Sequence, residues 1–123
     1  MRILITGATG MLGFTLAKMW ESKFDIFCTG RSSYKYFLKD KYLPFDLKSK
    51  SYEKLINWAR PDCIVHAAAI TNVDYCEKFG EISKEINAES VNKFHRASNG
   101  TRIIFISSDA VFKDKIPSAT ENI

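Results

Sequence analysis

Three glycines, Gly7, Gly10 and Gly13, stand three residues apart in the stretch "ITGATGMLG", between a short apolar run and a segment with helical spacing. A strand-to-helix turn of this composition has a defined chemistry. Gly7 permits a tight turn with unusual φ, Gly10 lets the backbone approach a pyrophosphate with no β-carbon in the way, and Gly13 lets the helix pack closely on the sheet. A helix starting near Met11 then presents unpaired N–H groups and the positive end of its dipole to phosphate oxygens. A glycine-rich turn that only connects two elements is the alternative. The position between a strand and an amphipathic helix favours a dinucleotide.

A second candidate lies at the end of the next strand. Sites for NAD usually place an Asp or Glu there to hold the ribose hydroxyls, whereas this strand ends Cys28-Thr-Gly-Arg-Ser32. Arg31, supported by the hydroxyls of Ser32 and Ser33, is placed to meet a 2′-phosphate, so NADP is expected over NAD. The competing reading of Arg31 is a solvated loop cation.

These residues need elements to position them. Short β-like runs alternate with helical patterns, the signature of βαβ units around a parallel sheet. Strands are expected at Arg2–Thr6, Asp25–Thr29, Tyr42–Phe45, Asp62–His66 and Arg102–Ser107. Helices are expected at Met11–Ser22, with Leu12, Leu16 and Met19 on one face, and at Ser49–Ala59, with Tyr52, Leu55, Ile56 and Ala59 inward. A third spans about Ile82–Ser98, with Ile82, Ile86, Val91 and Phe94 inward, and Asn99-Gly100 stops it. Pro44 and Pro61 punctuate strand entrances, and the basic connection Arg31–Lys41 has room for a short helix. The fold expected is α/β: a Rossmann-type parallel sheet of about five strands in the order 3-2-1-4-5, with helices on both faces. The run Ile103–Ile106 is apolar on both sides, as in a strand covered on both faces.

Composition bounds the rest. A chain of 123 residues with 46% hydrophobic residues makes one domain with one core. The formal charge of +4 suits phosphate-bearing ligands and falls short of a nucleic-acid-binding signature. Cys28, Cys63 and Cys76 form no C-x-x-C pair, and Cys28 and Cys63 sit in apolar runs as small core residues; no metal site is expected. No signal peptide is visible, and no segment approaches the roughly 18 apolar residues of a membrane span, so a cytoplasmic location without a membrane partner is expected.

The segments "ITGATGMLG", "RPDCIVHAAAITNVDYCE", "INAESV" and "FISSDAVF", in that order, resemble the N-terminal half of the extended short-chain dehydrogenase/reductases, most closely the dTDP-4-dehydrorhamnose reductase group. The resemblance covers essentially the whole chain. It implies that Gly7, Thr9, Gly10, Met11, Leu12 and Gly13 wrap the pyrophosphate, and that Asp46 and Leu47 meet the adenine. It further implies that adenosine and ribose pass over Ala67, Ala68 and Ala69, and that Thr71 and Val73 lie near the nicotinamide or substrate. Ser108 matches the hydroxyl that hydrogen-bonds the substrate carbonyl in that family. From chemistry alone, Ser107 and Ser108 read instead as strand-end hydroxyls capping loose backbone groups. Asp74 and Glu77 read as helix-start acids, and Asn87 as a residue fixing local backbone geometry.

In that family a tyrosine protonates the carbonyl oxygen during hydride transfer, and a lysine four residues later lowers its pKa. No Tyr-x-x-x-Lys occurs in residues 1–123. The expectation is therefore an NAD(P)-binding domain over residues 1–123, cut before that helix and the substrate-binding portion. It would be the cofactor-binding half of an oxidoreductase acting on nucleotide-linked 4-keto-6-deoxy sugars. The alternative is a non-catalytic nucleotide-binding or regulatory subunit, like the reductase-like subunit associated with methionine adenosyltransferase. Exposed apolar surface on Ile103–Ile106 leads to the further expectation of a homo-oligomer, or of completion by a missing C-terminal segment.

Overall fold

Strand β1 (Arg2–Thr6) runs parallel to β2 (Asp25–Gly30) on one side and to β4 (Cys63–His66) on the other, pairing Ile3 with both Ile26 and Cys63. Strand β3 (Tyr42–Pro44) extends the sheet beyond β2, and β5 (Arg102–Phe105) extends it beyond β4. The order is β3-β2-β1-β4-β5, as expected from the sequence. This computed structural model describes residues 1–31, 35–67 and 89–106. Among them are helices α1 (Met11–Trp20), α2 (Tyr52–Ala59) and α3 (Ser90–Ala97), and a one-turn 3₁₀ helix at Lys39–Lys41 inside the basic connection.

Strand alternation divides the core between the two faces of the sheet. Ile3, Ile5, Ile26, Cys28 and Val65 pack with Ala17 of α1, and Leu16 and Trp20 border them. Leu4, Phe27 and Ile64 pack with Leu55, Ile56 and Ala59 of α2 and Phe94 of α3. Tyr52 ties the second layer together, with the Phe45 and Phe94 rings edge-on at 4.9 and 4.7 Å. Its hydroxyl donates to the Leu47 carbonyl at 2.6 Å.

The inward face of α1 differs from expectation. Leu12 and Met19 are exposed, and Gly13 and Ala17 are buried in their place. Apolar residues surround this helix, so periodicity alone does not select a face. Close approach to the loop and sheet selects the smallest side chains. The inward faces of α2 (Tyr52, Leu55, Ile56, Ala59) and of α3 at Phe94 agree with expectation; Ile82 and Ile86 lie outside the described residues.

Element ends follow local chemistry. After α2, Arg60 is left-handed at φ 44°, and Pro61 prevents continuation. Asn99 (φ 57°) and Gly100 (φ 89°) end α3 with N–H bonds to the carbonyls of Arg96 and His95, a complete Schellman motif. Pro44 closes β3 instead of opening it, which an edge strand tolerates because it has a side with no ladder to donate to. Strand β5 is the other edge. Its cover is incomplete: Ile103 packs into one layer and Ile106, just after the strand, into the other, whereas Ile104 and Phe105 are 47% and 40% exposed.

At the amino edge of the sheet, Asp25 takes ion pairs from Arg2 (3.3 Å) and Lys41, and both cations lie over the Phe27 ring. The hydrogen bond from Lys41 and the two positive charges hold the Asp25 carboxyl below its ordinary range. Part of the basic excess is therefore committed to holding strands together, at the edge opposite the glycine turn.

Candidate functional site

The carboxyl ends of β1 and β4 meet where the strand order reverses, the place where open α/β sheets bind ligands. The glycine turn leaves β1 at this point, and its three glycines answer to different constraints. Gly7 has φ 67°, which L-residues rarely adopt. Gly13 lies against the turn itself: a β-carbon there would stand 2.2 Å from the Gly7 carbonyl oxygen and 2.7 Å from its carbon. Gly10 has an ordinary φ of −84°, and its nearest neighbour would lie 3.4 Å from a β-carbon. Backbone conformation therefore explains Gly7 and packing explains Gly13, but neither requires a glycine at Gly10, which is exposed on the rim. A bare backbone at that position fits a ligand that approaches it closely.

The turn is held from within and from β2. Gly10 N–H donates to the Gly7 carbonyl at 3.0 Å, Ala8 N–H donates to the Thr29 carbonyl at 3.1 Å, and Ala8 is fully buried. Gly10 is the N-cap of α1, no side chain caps that end, and no acidic residue occupies its first turn. The N–H groups of the first turn thus face the rim with no competing carboxylate, the arrangement that receives an anion. Met11 and Leu12, 89% and 46% exposed, provide an apolar border.

Gly30, at the end of β2, abuts the same turn. A β-carbon on it would meet the Tyr42 hydroxyl at 2.6 Å and the Thr9 methyl at 3.0 Å. Arg31 follows directly and is exposed, so its guanidinium can reach the rim from the β2 side. Phe45 N–H donates to the Gly30 carbonyl at 2.8 Å, which brings the chain after β3 to the same edge. There Asp46 turns the chain: its carboxylate accepts from Lys48 N–H at 2.9 Å and its carbonyl from Ser49 N–H at 2.9 Å. Leu47 packs partly into the core beneath α2. Ala67 follows β4 beside the turn and is half-buried. Ser32, Ala68, Ala69, Thr71 and Ser108, together with Ser33, Val73, Asp74, Glu77, Asn87 and Ser107, lie outside the described residues.

Sequence reasoning missed two features of this edge. One is Gly30, whose missing side chain makes room for Thr9 and the Tyr42 hydroxyl. The other is His66, the last residue of β4, which is fully buried. Its Nδ1 lies 2.6 Å from Thr6 Oγ1 and its Nε2 2.8 Å from Ser90 Oγ, with the Phe94 and Phe105 rings at 5.3 and 5.6 Å. Burial pushes the His66 pKa down to about 4, so the imidazole is neutral near pH 7. A histidine closing the apolar run "CIVH" was the available signal. Cys28 and Cys63 are buried free thiols, Cys28 pushed up to about 12 by burial and Cys63 also raised. Neither is poised as a nucleophile. Among the described residues no group of His, Cys, Asp and Glu is arranged to hold a metal ion, and no helix is long and apolar enough to cross a membrane.

A parallel sheet of this order with a glycine turn leaving its central strand defines a Rossmann-type α/β protein. Residues 1–121 match the RmlD substrate binding domain, and the chain belongs to that family. It is 31% identical to methionine adenosyltransferase 2 subunit beta of Danio rerio, over 98% of this chain and 37% of that protein. It is 33% identical to dTDP-4-dehydrorhamnose reductase of Salmonella typhimurium, over 91% of this chain and 36% of that protein. Among solved structures, dTDP-4-dehydrorhamnose reductase of Bacillus anthracis in complex with NADP superposes with a TM-score of 0.72 at 31% identity, covering 95% of this chain and 39% of that one. The chain thus spans well under half the length of these relatives.

Proposed function

We propose that this chain is the NADP-binding portion of a reductase that transfers hydride from NADPH to the 4-keto group of a nucleotide-linked 6-deoxy sugar. The observation that carries the reading is the exposed, bare backbone of Gly10 at the start of α1: neither a left-handed φ nor a clash forbids a side chain there, and N-capping favours glycine only weakly. Gly7, Thr9, Gly10, Met11, Leu12 and Gly13 hold the pyrophosphate, and Arg31 with Ser32 takes the 2′-phosphate. Asp46 and Leu47 border the adenine; Ala67, Ala68 and Ala69 lie under adenosine and ribose, and Thr71 near the nicotinamide. The Ser108 hydroxyl donates a hydrogen bond to the substrate's carbonyl oxygen. The bound dinucleotide supplies the hydride. No Tyr-x-x-x-Lys is present in residues 1–123, so the role assigned to this chain is to bind and orient the cofactor.

The 31% identity to methionine adenosyltransferase 2 subunit beta, over 98% of this chain, favours a second reading. In it the same site holds a nucleotide in a non-catalytic, regulatory subunit.

Isothermal titration with NADPH and NADH tests the cofactor assignment common to both. NADPH binds more tightly than NADH, and Arg31→Ala weakens NADPH by about tenfold to a hundredfold, the worth of a charge-assisted contact, while leaving NADH little changed. A folded chain that binds neither nucleotide refutes the assignment. Purifying the protein that carries these residues in its native context and assaying sugar reduction separates the two readings.

A further inference from the structure

The carboxyl end of β4 is an expensive place for a polar side chain, because His66 is fully buried between the Phe94 and Phe105 rings. An aliphatic residue would fit the apolar pattern of Cys63, Ile64 and Val65. The geometry accounts for the histidine differently. Nδ1 meets the hydroxyl of Thr6, the residue immediately before Gly7, at 2.6 Å, and Nε2 meets the hydroxyl of Ser90, the first residue of α3, at 2.8 Å. A single imidazole thus bridges the base of the glycine turn to a helix on the far side of β4. Both partners are hydroxyls, able to donate or accept, so a neutral ring satisfies both contacts in either tautomer.

We propose that His66 is a positioning residue for the dinucleotide site: through Thr6 it fixes the direction in which the chain leaves β1, and through Ser90 it anchors that direction to α3. The inference rests on the reading of Gly7–Gly13 as a dinucleotide site. It adds a residue that touches no ligand and acts through the turn. Thr6 is paired with His66 in the strand register and also bonded to its side chain, so β1 and β4 are locked together at the level where the turn begins. The Ala8 and Gly10 amides, bonded to the Thr29 and Gly7 carbonyls, report whether the turn keeps its shape.

The test compares His66→Leu with His66→Asn in the full chain. Leucine fills the space and removes both contacts; asparagine places a polar atom where Nδ1 stood and restores the bond to Thr6. In H66L the Ala8 and Gly10 amides exchange with solvent faster, and NADPH binding weakens by about tenfold, the scale of one lost hydrogen bond. H66N keeps both within about threefold of the wild type, a difference worth less than one such bond. Unchanged amide exchange in a folded H66L overturns the inference, as does NADPH binding by H66L equal to that of the wild type. Wild-type protein that binds no dinucleotide, but whose Ala8 and Gly10 amides respond to H66L, refutes the dinucleotide reading and upholds the positioning role. Should H66L not fold, Thr6→Val removes the hydroxyl while keeping the side-chain shape, and the same two readouts decide.

Discussion

Gly13 faces Gly7 so closely that a β-carbon on Gly13 would fall 2.2 Å from the Gly7 carbonyl oxygen, whereas one on Gly10 would stand 3.4 Å from the same atom. The two glycines therefore separate packing from binding. Gly13→Ala destabilises the chain by about 2–3 kcal/mol, even after the roughly 1 kcal/mol that alanine gains over glycine within a helix. Gly10→Ala costs about 1 kcal/mol or less, the loss of a favourable N-cap residue. It nonetheless weakens NADPH binding by about tenfold or more, because the new methyl occupies the line of approach to the turn. Urea unfolding and calorimetric titration of both variants measure the split; equal effects on both quantities would remove the distinction.

His66 makes stability depend on pH. Unfolded, the imidazole titrates near 6.5; folded, its pKa is about 4. Between these values the unfolded chain binds the extra proton, so stability is at its full value above pH 6.5 and falls as pH drops toward 4. The loss by pH 4.5 is about 2–3 kcal/mol from this group, at about 1.4 kcal/mol per pH unit. Urea midpoints at pH 7.5 and 4.5 measure it. H66L flattens this part of the profile, and an H66L profile as steep as the wild type's would assign the loss to other groups.

Neither described thiol reacts in the folded chain. Burial raises both Cys28 and Cys63, so at pH 8 iodoacetamide leaves them unlabelled, and denaturant exposes them together with the core. Peptide mass mapping before and after denaturation checks this; rapid native labelling of Cys28 would mean that the β2 layer opens locally.

The β5 edge carries exposed apolar side chains. Ile104 and Phe105 are exposed on the outer strand β5, so the expected outcome is self-association that grows with concentration and an average mass lowered by Ile104→Glu. Light scattering after size exclusion measures both. A monomer at every concentration would show that this edge is protected.

The strands and the glycine turn were legible in the sequence because each rested on a strong local signal. Apolar runs gave the strand cores, Gly7 answered a left-handed backbone, and Asn99-Gly100 closed a helix. The inward face of α1 was not legible. Met11, Leu12, Phe14, Leu16 and Met19 surround that helix, and the deciding constraint was the turn lying against Gly13. Pro44 ends β3 rather than opening it, and the sequence does not say which strand will be at an edge, where a proline is harmless. The role of His66 is not legible locally, because its partners, Thr6 and Ser90, are 60 and 24 residues away in the chain. At the site, the glycines and Arg31 could be read from motif spacing. The contact of Gly30 with Thr9 and Tyr42 depends on side chains brought together only by the sheet.

The two flanks of β1 are filled at different stages of synthesis. Its partner β2 follows after a single helix, but β4 pairs Ile3 with Cys63, so that side stays open until β3 and α2 have also been made. A nascent chain leaving the ribosome can form the glycine turn against β2 early, yet it lacks the bond from His66 to Thr6 until β4 emerges. The edge of the sheet that holds the glycine turn is therefore completed after the turn's own contacts with β2, and β5 is added to it later still.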